Sequence, residues 1–471
     1  MNTVTTNKQQ NYMVPFIIMV VLMALIGLIT NLNQQFQAPM KAAFLLQGGK
    51  WANTLATFLN FAFFTAYLVM GPVSSKYIAK NGYKKTLVFG LSILCIAFGI
   101  YMSSAYVFDA FDLKNFQGAI DEAKAIEAAG VAGVPAMQAL ASATGNFQVN
   151  ILEATGEYNG LTWLGDVTIP TAYYVFLIAA FVAGTALTYL QAVVNPYVVA
   201  CDVKGTTGVQ RQSIAGTGNS LMTTIGPLIV AYVIFQGKGG LEVDITSLYI
   251  PFAILLLLVV ILAFALTKIE LPEVAGGGAK QTDLTENIWS FSHVKLGVLA
   301  IFAYVGVEVS VGTNVLFYAQ DDLGFTIKDA ALISSIYWGG LLVGRFLSSF
   351  LSKVSAQKQL LIAGVGAGFF ILVAMMTKQP WFLAAVGLFH SVMWPAIFSL
   401  ALEGLGRYTS KASGVLMMGC FGGALIPVLQ GLMADQLGAW QWTWVFIVLG
   451  ELYILYYATV GHKVLKRDTA A

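Results

Sequence analysis

Residues 247–268 read SLYIPFAILLLLVVILAFALTK, with no charge from Ser247 to Thr267 and a lysine at the end. An α-helix needs about 20 mostly apolar residues to cross the hydrocarbon of a bilayer, so this stretch reads as a membrane-spanning helix. The same ruler finds eleven more, at 13–36, 52–78, 84–107, 169–200, 212–236, 295–319, 330–353, 358–378, 380–402, 412–435 and 441–462. Composition agrees: of 471 residues 58% are hydrophobic and 10% charged, with a mean hydropathy of +0.75. A soluble domain carries about 25% charged residues, so no polar shell of ordinary thickness can be built. A soluble enzyme, a nucleic-acid binder and a disordered scaffold are thereby excluded, and a net charge of +2 implies no polyanionic partner. The expected fold is all-α and integral to the membrane, with twelve transmembrane helices.

An even number of spans places both ends on one side, and basic residues decide which. With the N-terminus inside, eighteen of the 25 lysines and arginines fall on the inner segments, among them Lys76, Lys80, Lys84 and Lys85 after the second span. Both termini are therefore expected in the cytoplasm. The polar Met1 to Asn11 leads into the first span without a small-residue cleavage signal, so that span reads as a retained helix. Cys95, Cys201 and Cys420 stand in or beside apolar runs and show neither pairing nor metal-ligand spacing. They read as small buried side chains.

The connections are short except at 108–168, where Asp109, Asp112, Asp121, Glu122, Glu127, Glu153, Glu157 and Asp166 face only Lys114 and Lys124. This is an acidic outer insertion, and 115–129 has the composition of a short surface helix. The segment 269–294, with Gly276-Gly277-Gly278, reads as a flexible cytoplasmic linker between two halves. Pro196 and Pro395, then Pro227 and Pro427, recur at 199 and 200 residues, whereas Ser74-Ser75 and Ser348-Ser349 recur at 274. The surplus belongs to the insertion. The chain is thus divided into a first six-helix bundle at 1–268, the linker at 269–294 and a second bundle at 295–471, related by a pseudo-twofold axis, an architecture found in secondary transporters.

Polar groups inside a membrane are costly and mark functional positions by default. Asn31 and Gln34 share a face of the first span; Thr188, Gln191 and Asn195 form a stripe along the fourth; Thr217, Asn219, Ser220 and Thr223 lie in the fifth. Amides both donate and accept hydrogen bonds, which suits the hydroxyls of a neutral polyol such as a hexose, and no arginine stands among these stripes. Tyr337, Trp338 and Trp394 lie within spans and offer faces for C–H stacking. Trp381, Trp440, Trp442 and Trp444 stand at span ends as interfacial anchors. Glu308 and Glu451 lie deep in the seventh and twelfth spans. Glu308, with Ser310, Thr313 and Asn314 nearby, is the better coupling group, whereas Glu451 reads as a structural hydrogen bond or subunit contact. His390 reads as a hydrogen-bonded core histidine, and Arg345 as pairing at the cytoplasmic face.

Asn31-Leu32-Asn33, Gln191 through Asn195-Pro196-Tyr197, Tyr304 to Ser310, Gly344-Arg345-Phe346 and Trp394 to Ser399 resemble the fucose–galactose–glucose symporters of the major facilitator superfamily. The likeness runs through nearly all twelve spans and omits the insertion, and 71–85 is a degenerate form of the superfamily's basic loop. It implies a rocker-switch sugar carrier of a bacterial-type inner membrane. Fucose permeases of this family have an aspartate after Asn-Leu-Asn and a glutamate in the fourth span, both tied to proton coupling; here these positions are Gln34 and Gln191, which cannot titrate. The motif around Glu308 is similar to the glucose/galactose branch. Asn219 matches a sugar-site asparagine and Trp394 a sugar-site aromatic.

The expectation is a hexose importer working by alternating access with proton or sodium symport. Asn31, Gln34, Gln191, Asn195 and Asn219 would contact the sugar, Trp338 and Trp394 would stack on it, and Glu308 would couple the cation. An uncoupled facilitator and a membrane sugar receptor are the alternatives. No organic cofactor, resident metal or nucleic acid is expected. The partners are the hexose and membrane lipid, with a monomer as the working unit. No nucleophile–base pair or phosphate loop suggests an enzyme.

Overall fold

The computed structural model describes residues 12–43, 51–112, 148–152, 157–162, 169–201, 203–204, 208–238, 245–271, 287–348, 354–405, 412 and 415–464. Twelve helices long and apolar enough to cross a membrane follow one another: α1 (Met13–Lys41), α2 (Ala52–Ile78), α3 (Lys80–Asp112), α4 (Thr171–Asn195), α5 (Ile214–Ile234), α6 (Ile245–Lys268), α7 (Ser292–Asp322), α8 (Ile327–Leu347), α9 (Ala356–Thr377), α10 (Trp381–Leu402), α11 (Met417–Leu437) and α12 (Gln441–Gly461). All twelve coincide with the spans expected from hydropathy. The opening stretch is α6, which buries a seam of Phe252, Leu255, Val259 and Leu266 and leaves Ile250, Ile254, Leu257, Ile261 and Phe264 exposed. Phe252 stacks on Tyr101 of α3 at 4.7 Å between ring centroids. A helix this apolar on every face is stable only in lipid.

The two halves repeat one packing plan. α1 packs on α5, α2 on α4 and α3 on α6; correspondingly α7 packs on α11, α8 on α10 and α9 on α12. Glycines allow the matched close approaches: a Cβ on Gly184 would strike the Phe63 carbonyl of α2, and one on Gly387 the Tyr337 carbonyl of α8. Small residues at such crossings let membrane helices pack without a hydrophobic driving force. The halves meet where α2 crosses α11 and α5 crosses α8. α2 and α3 are joined at Gly82, whose φ of 76° lies in the region that favours glycine.

The insertion leaves α3 and returns to α4 on one side of the molecule. Asp112 Oδ2 accepts from the Ala172 amide at 2.8 Å, and Ser104 Oγ donates to the Ala172 carbonyl at 2.6 Å, so the roots of the insertion are tied together. Within it, β1 (Gln148–Leu152) pairs antiparallel with β2 (Glu157–Thr162), with a bulge between Val149 and Ile151. The hairpin lies in the insertion, outside the twelve spans, and the membrane-spanning part is all-α as expected. The surface helix expected at 115–129, the glycines at 276–278, Ser349, and basic residues such as Lys8, Arg407 and Lys411 lie outside the described residues.

At the insertion end the two halves are latched. Lys41 Nζ of α1 lies 2.7 Å from Asp321 Oδ2 of α7 and donates to Asn53 Oδ1 at 2.8 Å. Asp435 at the end of α11 accepts from the Asn53 and Thr54 amides at 3.0 and 2.7 Å and from Thr54 Oγ1 at 2.6 Å. Its carboxylate thus caps the N-terminus of α2, where the helix dipole favours negative charge. Trp440 and Trp444 are 1% and 0% exposed rather than interfacial. Trp440 stacks on Phe317 at 5.0 Å, and its Nε1 donates to Asp321. Hydropathy could not separate a tryptophan facing headgroups from one turned into the latch. Trp381 and Trp442 are exposed.

Removing the cap in Asp435→Ala is expected to cost the latched state about 1 kcal/mol. In a background with the three native cysteines replaced, Thr57→Cys should then react several-fold faster with a membrane-impermeant maleimide. An unchanged labelling rate would show that the carboxylate does not hold the closed state.

Candidate functional site

On the α1–α6 side, the polar stripe of α4 divides by task. Thr188 Oγ1 donates to the Gly184 carbonyl of its own helix at 2.8 Å. Gln191 Nε2 donates to Tyr67 Oη of α2 at 3.0 Å, beside Thr30 of α1. Asn195 lies four residues along and is partly buried. In α1, Asn31 is 0% exposed and neither atom of its amide has a hydrogen-bond partner among the described residues; Gln34 is 2% exposed with Oε1 unpartnered. A buried unpaired amide costs about 1–3 kcal/mol, so these atoms are the ones a polar ligand would satisfy. Asn33, by contrast, is committed to Asn60 and Tyr101. Gln35 spans the halves, donating to the Gly312 carbonyl at 3.2 Å.

Asn219 is placed differently from the sequence expectation. Its Nδ2 donates to the Met23 carbonyl of α1 at 3.1 Å, beside Gly27, and joins α1 to α5. Its neighbour Ser220 accepts from Arg345 of α8.

On the α7–α12 side, Glu308 is partly buried, and its Oε1 accepts from Tyr304 Oη at 2.7 Å, one turn earlier on α7. Tyr304 also hydrogen-bonds Arg345, whose positive charge acts on Glu308. The expectation that Arg345 pairs at the cytoplasmic face is therefore corrected, as is the absence of an arginine among the polar stripes. Its long side chain reaches back along α8 toward Tyr304, which residue number alone does not reveal. Trp394 is partly buried, stacked on Phe398 at 6.0 Å and 6.3 Å from the Tyr304 ring. Trp338 is 5% exposed, with Gly312 against its indole and Nε1 unpartnered.

Glu451 is 1% exposed, and its Oε1 lies 2.8 Å from His390 Nε2. His390 Nδ1 lies 2.7 Å from Tyr337 Oη, so both readings of a hydrogen-bonded interior hold, and within one bundle. Thr313 Oγ1 donates to the Val309 carbonyl, and Asn314 bonds Gln430 of α11 at 2.9 Å. These two groups thus serve helix packing rather than joining Glu308. Among the described residues no group of three His, Cys, Asp or Glu is disposed to hold a metal ion.

Phe421 of α11 lies 6.0 Å from Phe61 of α2 and 6.4 Å from Phe302 of α7, so α11 touches elements of both sides. The groups are amides and hydroxyls on α1, α2 and α4 of one bundle and a carboxylate, a guanidinium and aromatic rings on α7, α8 and α10 of the other. Sequence reasoning missed Tyr67, Tyr304 and Arg345 as members. The available signals were spacings: Tyr304 is four residues before Glu308, and Arg345 is seven after Trp338, so each pair shares a helix face.

Residues 150–427 match the profile of the Major Facilitator Superfamily. The chain is similar to a glucose/galactose transporter of Brucella abortus, 27% identical over 467 residues covering 97% of this chain and 96% of the relative. It is also similar to a putative glucose/galactose transporter of Helicobacter pylori, 29% identical over 455 residues covering 93% and 94%. Among solved structures, the E. coli fucose:proton symporter FucP superposes with a TM-score of 0.61 at 18% identity, covering 95% of this chain and 98% of that one. The chain is a multi-pass membrane protein and belongs to the Major Facilitator Superfamily.

Proposed function

We propose that the protein is a secondary active sugar transporter that imports a hexose of the glucose, galactose or mannose type by alternating access with cation symport. The observation that carries the reading is the pairing of unsatisfied buried amides with an aromatic and carboxylate wall. Asn31 and Gln34 keep hydrogen-bonding capacity unspent in the interior, Gln191 is bonded to Tyr67, and Trp394 with Tyr304 offers ring faces in the other bundle. The names of the full-length Brucella and Helicobacter relatives support a hexose. Glu308 is the coupling carboxylate. We take the cation to be a proton, which Glu308 can bind alone, whereas sodium would need Glu308 ionised with the hydroxyl oxygens of Ser310 and Thr313 as further ligands. We place the protein as a monomer in a bacterial-type inner membrane with both termini cytoplasmic. The closed latch then faces outward and the structure represents a state sealed from outside.

The test is radiolabelled uptake of glucose, galactose, mannose and fucose into proteoliposomes, with a proton gradient, a sodium gradient or neither. Accumulation of an aldohexose under the proton gradient is expected. Flux that only equilibrates under both gradients would favour an uncoupled facilitator, the reading suggested by the neutral Gln34 and Gln191. Absence of any sugar flux would overturn transport and leave a receptor.

A further inference from the structure

The interior of the α7–α12 bundle holds more charge than a sugar site needs. Glu308 on α7, Arg345 on α8, His390 on α10 and Glu451 on α12 act on one another through Tyr304 and Tyr337, and Gly364 and Gly368 of α9 approach Glu451. Glu451 is 1% exposed, its Oε1 takes His390 Nε2 at 2.8 Å, and its Oε2 has no partner. His390 is itself 0% exposed.

Counting charge is decisive here. Two carboxylates stand against one guanidinium, which stays protonated in proteins. An uncompensated buried charge is strongly disfavoured, so the cluster is electroneutral when it holds one proton beyond those two ionised carboxylates. While Glu308 is ionised against Arg345, His390 and Glu451 can hold it, as imidazolium with carboxylate or as imidazole with carboxylic acid.

We propose that the buried His390–Glu451 pair is a proton-binding site of the carrier, linked to the Glu308 segment of α7 through Tyr337. Tyr337 Oη lies 2.7 Å from His390 Nδ1 and 3.0 Å from the Glu308 carbonyl oxygen. When His390 is neutral with Nδ1 bare, Tyr337 donates to it. When a proton binds at Nδ1, the new N–H donates to Tyr337 Oη, and the tyrosine turns its own hydrogen to the Glu308 carbonyl. One N–H bond forms, the added positive charge is matched by Glu451, and Glu308 stays ionised in this step; the same single proton occupies Glu308 at the other stage of the cycle, so one proton is carried per sugar. Occupancy of the buried pair is thereby read on α7, beside the carboxylate that meets the sugar site.

This inference rests on proton-coupled transport as proposed above, and the test separates the two. With a gradient of about one pH unit, transport at one proton per sugar holds the substrate about tenfold above equilibrium. In Glu451→Gln the cluster is neutral without the extra proton while the bond to His390 is kept. Accumulation should fall about tenfold, to equilibrium, and sugar-induced alkalinisation of a lightly buffered suspension should vanish. Thermal stability of the purified variant checks its folding. Tyr337→Phe, which leaves the pair intact, keeps the proposal testable if Glu451→Gln does not fold, and should shift the pH profile of uphill uptake.

Glu451→Gln that accumulates sugar with the wild-type pH profile and proton uptake would overturn the site, as would a wild-type profile in Tyr337→Phe. If Glu308→Gln loses accumulation while both of these variants keep it, only the buried site falls. If the wild-type protein moves sugar with no proton uptake, proton coupling falls as well.

Discussion

Glu308→Gln is expected to abolish uphill sugar accumulation while leaving counterflow exchange in place. Glutamine has the same shape and can still accept from Tyr304, but it cannot take up a proton at neutral pH. Exchange of labelled for unlabelled sugar requires only that the loaded carrier reorient, whereas accumulation requires the proton. In proteoliposomes under a gradient of about one pH unit the ratio of internal to external sugar should drop from about ten to about one. Unimpaired uphill uptake in this variant would remove Glu308 from the coupling role and return attention to the neutral Gln34 and Gln191.

The second large effect falls on stability. Arg345 is the positive charge acting on Glu308, and it reaches both Tyr304 and Ser220. Arg345→Gln leaves that carboxylate uncompensated in a poorly solvated interior, which is expected to cost about 3 kcal/mol. Adding Glu308→Gln removes the stranded charge and should restore most of the loss, measured as the unfolding midpoint of detergent-purified protein. The two residues share a partner in Tyr304, so their effects should be strongly non-additive. A double variant with the summed loss of the two singles would show that Arg345 does not compensate Glu308.

The path from sequence to site was uneven for physical reasons. Asn31, Gln34 and Gln191 stand out in the sequence because a polar group in a lipid-length apolar run has few reasons to be there. Asn219 meets the same criterion, yet it spends its amide on the Met23 carbonyl, because helix crossings also consume hydrogen-bonding groups. Arg345 is the reverse case. Its position near the end of α8 suggests the membrane surface, but a side chain of its length can turn inward to Tyr304 as readily as it can snorkel to water. The Trp440 and Trp444 rings were misplaced for a related reason: the end of a span is interfacial only if no neighbouring helix covers it, and here Phe317 and Tyr318 do.

What the amino-acid order determined by itself is the set of twelve spans, their division into two repeated halves and the identity of the polar groups that enter the membrane. These follow from hydrophobic length and from the cost of burying polar atoms, both properties of a single helix in lipid. The latch of Lys41 with Asp321 and of Asp435 with α2, the meeting of Arg345 with Tyr304 and Glu308, and the buried chain from Tyr337 through His390 to Glu451 were decided by tertiary structure alone. Each joins helices distant in sequence, and which faces meet depends on how glycines and small residues let the helices approach. The stretch at 247–268 illustrates the division: its length announced a membrane helix, while only packing against α3 singled out Phe252, Leu255, Val259 and Leu266 as its inner face.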